Sequence, residues 1–205
     1  MTEAATGNAG SAGMTLLHRD GRHFRFDAGS LCLELLLTGG PGPAAARYEV
    51  LDRVEGLLDW VVECRLAPGL DLAVTDAELA TVRRTRDALW GLALARAEGA
   101  PPAPGELAAV NAAAAEAPLV AAVTADGTRA WAPGATGTGL LATVARDAVE
   151  LFTGPHADRI RVCGADDCFL VFADTSRPGR RRWCSMDRCG NRHKVRAHRS
   201  RTGEG

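Results

Sequence analysis

Two cysteine pairs of equal spacing, Cys163-x4-Cys168 and Cys184-x4-Cys189, stand in the last quarter of the chain, separated by the 15 residues 169–183. No other feature restricts the fold as strongly. Four thiols in two pairs close a tetrahedral zinc site only if each pair folds back on a tight turn and the chain between brings the turns together. The intervening segment is long enough for a strand and a loop. A module of about 45 residues buries too little apolar surface to hold itself together, and metal ligation supplies on the order of 10 kcal/mol in small zinc modules. The competing reading is four core thiols, because free cysteine is among the most buried residue types. The small, basic and otherwise coreless segment favours the metal. Four thiols leave no open coordination position, so the site reads as structural rather than catalytic. Cys32 and Cys64 each stand alone among apolar residues and read as core packing.

Charge divides the chain at the same place. The 205 residues carry a formal net charge of −1. Residues 1–158 hold 12 arginines against 20 acids, whereas residues 159–201 hold 11 arginines and Lys194 against 4 aspartates. An acidic body with a basic end points to an anion-binding tail. Lys194 is the only lysine, so the excess of arginine reflects a bias of the whole chain, not selection for bidentate phosphate contacts. Residues 1–13 lack the basic and apolar regions of a secretory signal. The longest apolar stretch, Leu31 to Leu37, is interrupted by Glu34 and falls short of the roughly 20 residues that span a bilayer. A cytoplasmic, reduced protein is expected, in which paired cysteines bind metal before they form disulfides.

The body reads as mostly helical. Apolar residues recur at helical spacing from Glu49 to about Arg65. Thr75 and Glu78 form a capping-box pattern that opens a helix running to about Glu98. A third helix fits Gly105 to Glu116, and a fourth about Thr138 to Phe152. Leu119 to Val123 and Thr128 to Trp131 flank Asp126-Gly127, a hairpin signal. Ile160 to Cys163 and Phe169 to Phe172 are short strands around the turn 164–167. Arg177 to Arg182 is a basic loop, and Ser185 caps a last helix to about Arg199. The fold class is therefore α+β. A disordered N-terminus (1–13, with Met14 an alternative start) precedes a mostly helical domain with a β-hairpin (14–155). A treble-cleft-like or knuckle zinc module of two short strands and a helix (156–201) and a short tail (202–205) follow.

At 100° per residue, Arg188, Arg192, Arg196 and Arg199 share an arc of about 80° on the last helix, interrupted by Val195. Arg180, Arg181 and Arg182 precede them on the loop, and Lys194 and Arg201 extend the charge. Like charges on one helix face repel, and a polyanionic backbone would relieve the repulsion. The plainer alternative is a solvated basic tail. His193 and His198 are not needed as ligands, and His193 reads as a phosphate contact or surface residue. Gly190 permits close backbone packing at the metal turn, Asn191 can bond a base edge, a phosphate or, as the plainest reading, a backbone carbonyl, and Trp183 packs over the metal knuckle rather than on a base.

The run from Arg182 to Arg192, RWCSMDRCGNR, resembles the CGNR zinc-finger family, whose name is spelled by Cys189-Gly190-Asn191-Arg192. Cys163-x4-Cys168 and the string Phe172-Ala173-Asp174-Thr175-Ser176 resemble the same family. Gly29-Ser30-Leu31-Cys32-Leu33-Glu34 resembles the start of the ABATE domain that precedes the finger there. Two departures stand out: Glu34 replaces an aspartate and is followed by Leu35-Leu36-Leu37 instead of a more polar stretch, and His193 replaces a small residue. The resemblance implies a bacterial, stress-linked transcription regulator. It would hold one structural Zn²⁺ on Cys163, Cys168, Cys184 and Cys189. Nucleic-acid contacts are expected from Arg180, Arg181, Arg182, Arg188, Arg192, Lys194, Arg196 and Arg199, with DNA as partner. The N-terminal domain would dimerise or sense a signal. The alternative is a zinc-stabilised RNA-binding or protein-interaction module without specific DNA readout. An enzyme is not expected, because the body offers no nucleophile–base motif, no phosphate loop and no carboxylate–histidine cluster.

Overall fold

The computed structural model describes residues 13–17, 21–66 and 68–202. The expectation of a disordered N-terminus falls outside that set except at Gly13, as does the tail from residue 203. The described chain opens on an antiparallel hairpin, β1 (Met14–Leu17) with β2 (His23–Phe26), which sets Met14 opposite Phe26 and buries both. A short helix, α1 (Leu31–Leu35), follows and is buried along its whole length. Ser30 does not cap it. Asp147 does so from the distant helix α5 (Gly137–Thr153), accepting the Cys32 amide at 2.8 Å and the Ser30 hydroxyl. A carboxylate at a helix N-terminus satisfies free amides and complements the helix dipole.

The second helix, α2 (Val54–Glu63), starts later than the expected Glu49. Residues 49–51 bond elsewhere: the Val50 amide donates to the Thr38 carbonyl at 2.9 Å, and the Leu51 amide to Glu49 Oε1 at 2.9 Å. Leu51 is still buried, but from a loop, and Val62, near the end of α2, is 85% exposed. The next helix, α3 (Asp76–Glu98), carries the expected capping box. Helix α4 (Pro104–Ala115) begins with proline in its first turn, where no amide partner is lost. Hairpin β4 (Ala121–Val123) and β5 (Arg129–Trp131) turns at Asp126-Gly127 as read. A two-residue parallel pair, β3 (Leu72–Ala73) with β6 (Ala135–Thr136), was not foreseen. Helices α3, α4 and α5 pack on one another, with α1 against α5.

Glu78 ties two of these helices together. Besides closing the Thr75 box, its carboxylate accepts the Thr138 amide at 2.9 Å and the Thr138 hydroxyl at 3.0 Å, at the start of α5. The Thr75 and Thr138 amides hold its carboxyl down to about 2. Glutamine keeps one carbonyl oxygen for one of the two amides and loses the other acceptor, so Glu78→Gln should cost about 0.5–1.5 kcal/mol at neutral pH, the net worth of one hydrogen bond. Because the folded-state value lies below the unfolded one, this contribution is complete above pH ~5 and fades as pH falls toward 2. The gap in melting temperature between wild type and variant should shrink from pH 7 to pH 3.

Two acids of the body hold arginine partners, Glu34 fully buried and Glu49 half-buried. Arg86, 1% exposed, donates to both Glu49 oxygens at 2.8 Å. Glu34 accepts the Arg65 amide at 2.9 Å and its guanidinium at 2.9 and 3.0 Å. The family departure at residue 34 is thus a buried ion pair.

The last quarter of the chain is not coreless, contrary to expectation. Strands β7 (Ile160–Val162) and β8 (Val171–Ala173) pair antiparallel, and Ile160, Phe172 and Ala173 are fully buried in the same core as α1 and α3. The Ala173 amide donates to the Ala28 carbonyl at 2.9 Å. This approach requires Gly29, whose φ is +85° and where a Cβ would lie 2.6 Å from the Ala173 carbonyl oxygen. Among the described residues, no helix is long and apolar enough to cross a membrane.

Candidate metal centre and basic surface

Strand β7 delivers Cys163, and a turn closed by the Cys168 amide on the Ala165 carbonyl (2.9 Å) returns the second thiol of the first pair. The Gly164 amide reaches the Arg182 carbonyl at 2.9 Å, which brings up the second pair. There the amides of Cys189 and Gly190 both bond the Ser185 carbonyl at 3.1 Å. The five-residue span to Gly190 makes 186–190 a π turn, after which α6 (Asn191–Thr202) continues as an α-helix. Ser185 thus holds the helix start through its carbonyl, not through the hydroxyl cap expected from sequence. Gly190 is needed for close packing, since a Cβ there would lie 2.6 Å from Met186 Sδ and 3.2 Å from Trp183 Cδ1.

The four sulfurs all lie within 4.8 Å of one another. Cys184 Sγ is 3.8 Å from Cys168 Sγ and 3.4 Å from Cys189 Sγ. Zinc–sulfur bonds of about 2.3 Å in a tetrahedron place sulfurs roughly 3.8 Å apart, so the cluster fits the ion. Two donors are already turned on the sulfurs: the Cys184 amide on Cys163 Sγ at 3.3 Å and Arg192 Nη2 on Cys189 Sγ at 3.6 Å. Such donors lower the charge that a four-thiolate site presents. The thiols perturb one another. Hydrogen bonds from Cys168 and Cys184 hold Cys163 well below the ordinary thiol range, while the Cys163 sulfur pushes Cys168 up to about 12 and Cys184 higher still. A divalent ion stabilises all four sulfurs as thiolates. The centre is a structural site for one zinc ion, with four protein ligands. Cys32 and Cys64 lie apart from it as buried thiols; burial raises both, Cys64 to about 11.

The expected arginine face is divided. The α-helical count that aligned Arg188 with Arg192 fails because the first turn is π. Arg188 lies 4.7 Å over the Phe24 ring, whereas Arg192 grips Asp167 with two bonds of 2.7 and 2.9 Å. Arg181 turns inward over Phe172 and donates to the carbonyls of Asp27 (2.9 Å), Trp183 (3.1 Å) and Cys184 (2.6 Å). Its own amide is held at 2.7 Å by Asp174, a buried carboxylate that also accepts the Ser176 amide and hydroxyl. Arg180, Arg182, Lys194 and Arg196 are exposed. The side chains of Arg199 and His198 lie outside the described residues. His193 stacks on Trp183, with ring centroids 4.7 Å apart, and Trp183 packs against the metal turn as expected. Sequence reasoning missed Phe24, Asp27 and Asp167, whose only signal is their place in space. Asp174 was visible as part of a family string, without its task.

Residues 29–155 match the family ABATE, described as "Putative stress-induced transcription regulator", and residues 159–202 match the CGNR zinc finger. Among curated proteins, none matches the chain.

Proposed function

Since the chain belongs to the ABATE family and closes on a CGNR zinc finger, we propose that it is a transcription regulator that binds DNA through Arg180, Arg182, Lys194 and Arg196. The observation that carries this reading is the contrast among the cations. Arg181 and Arg192 are engaged by carbonyls and by Asp167, and Arg188 is packed on Phe24. The other four are exposed, Arg182 with its guanidinium 5.4 Å over the Trp183 ring, and among the described residues none of them meets a carboxylate within ion-pair distance. They flank the zinc turns, so the metal fixes the loop that bears two of them against the helix that bears the other two. Fixed cations of this kind suit phosphate contacts, which set register and supply affinity. In this reading the zinc holds the frame and has no catalytic task.

Phosphate contacts give a defined salt response. Log affinity for a duplex falls against log salt with a slope of about −0.9 per neutralised phosphate. Four contacts predict a slope of roughly −3 to −4, and Arg196→Gln should flatten it by about 1 while zinc content stays unchanged. Fluorescence anisotropy on a labelled 30-base-pair duplex between 50 and 200 mM salt measures this. An absence of binding at the lowest salt defeats the reading, and preference for single-stranded RNA replaces DNA as the partner. Arg192→Ala is unsuited to the test, because Arg192 also supports the centre through Asp167 and Cys189.

A further inference from the structure

Hairpin β1–β2, the turn that follows α1 and the segment after Cys168 do not close on one another. Between them lies a cavity of about 450 Å³, within the range of about 300–1,000 Å³ typical of small-molecule sites. Its wall is apolar, formed by Leu16, Phe24, Leu37, Tyr48, Phe169 and Leu170. Among the described residues, one charged side chain lines it, Arg188. Arg188 is half-buried, with its Nε buried and without a hydrogen-bond partner. The Nε of Arg192 is unpartnered too, but the Arg192 guanidinium is paired with Asp167, whereas among the described residues no carboxylate pairs with that of Arg188. Its guanidinium lies 4.7 Å over the Phe24 ring. A charged donor left in an apolar wall is costly, and the few such groups in folded proteins call for a partner.

We propose that this cavity binds a small amphipathic carboxylate, with its apolar body between Phe24, Leu37 and Phe169 and its carboxylate on Arg188. The charge balance selects the class. A planar guanidinium matches a planar carboxylate with two parallel bonds. One cation neutralises one negative charge, whereas a phosphate dianion would leave the second unpaired beside leucines and phenylalanines. The position also matters. Cys168, a zinc ligand, lines the same cavity, and Arg188 immediately precedes Cys189. An occupant therefore touches both zinc turns, the site where a regulator would receive a signal. That consequence rests on the DNA-binding reading, but the binding itself does not.

Isothermal titration of the zinc-loaded full chain with sodium octanoate and with 1-octanol tests the site. Octanoate should bind one per chain and about ten-fold or more tighter than octanol, the scale of one charge-assisted contact. Arg188→Gln should remove that preference and leave octanol affinity and zinc content unchanged. Leu37→Trp should weaken both probes by filling the cavity. If neither probe binds wild type at millimolar concentration, the site is overturned. Equal affinity for the two probes, unaltered by Arg188→Gln, overturns the carboxylate assignment. Both outcomes are independent of whether any duplex binds.

Discussion

Cys184→Ser is expected to lose the zinc ion and, with it, the order of the chain from the basic loop to the end of α6. Cys184 is central to the cluster. Its sulfur touches those of Cys168 and Cys189, and its amide donates to Cys163. Serine supplies no thiolate, and the zinc free energy, on the order of 10 kcal/mol in small modules, is also folding free energy for whatever the ion holds together. Little else holds this part. In 177–196 the buried residues are Cys184, Cys189 and Gly190, and the described side chains of α6 are exposed or half-buried. The rest should survive, because Ile160, Phe172 and Ala173 are anchored in the core of the body. The variant should therefore show near-zero zinc by elemental analysis. Its helical circular dichroism should fall by about the 12 residues of α6, and the body should still melt cooperatively. Acidification should act in the same direction, since the ligands bind as thiolates and protons compete with the ion. Collapse of the whole chain on zinc loss would show that the centre does more than this account gives it.

Arg181→Ala should destabilise the protein by about 3 kcal/mol or more. The guanidinium serves three carbonyls, those of Asp27, Trp183 and Cys184, and lies 4.1 Å from the Phe172 ring. It thus joins the second zinc turn to the segment between β2 and α1. Each buried acceptor left unpaired costs about 1–3 kcal/mol, less where water reaches it. Arg181→Lys should not rescue stability, since one ammonium cannot reproduce the planar fork that spans three acceptors. The urea midpoint should fall in both variants, and a chelator should strip zinc faster than from wild type. Had Arg181 been a solvent-facing phosphate contact, as the basic loop suggested, both measurements would be unchanged and only nucleic-acid affinity would respond.

That contrast shows what the sequence makes legible and what it does not. The zinc ligands, the Thr75–Glu78 box and the Asp126-Gly127 hairpin were readable because each is decided by residues a few positions apart. The second thiol pair obeys the same logic once the metal is recognised. The arginines were readable as a population but not as individuals. Arg181 reaches a carbonyl 154 positions away and Arg192 a carboxylate 25 positions away, and a π turn shifts Arg188 from the line of the helix that follows. The start of α2 was misread for a related reason: Val50 and Leu51 keep the helical period, but their amides go to Thr38 and Glu49. Apolar periodicity predicts burial, and Leu51 is buried, yet burial is compatible with a loop whose amides find partners elsewhere. The parallel pair β3–β6 joins segments 63 positions apart, Leu72 with Ala135, and two residues carry no strand signal.

The central claim is that the zinc centre orders the exposed cations into a surface that binds DNA. The most direct measurement is the affinity of a 30-base-pair duplex as a function of salt for the zinc-loaded protein and for Cys184→Ser side by side. Both chains carry the same arginines and Lys194, and the variant lacks the net negative charge of a four-thiolate zinc site, so weaker binding by the variant cannot come from fewer cations or added negative charge. The account predicts a slope of roughly −3 to −4 for the loaded protein, with at least about ten-fold weaker binding and a shallower slope for the variant. Equal affinity and equal slope in the two proteins would mean that charge alone attracts the duplex, and would contradict the claim.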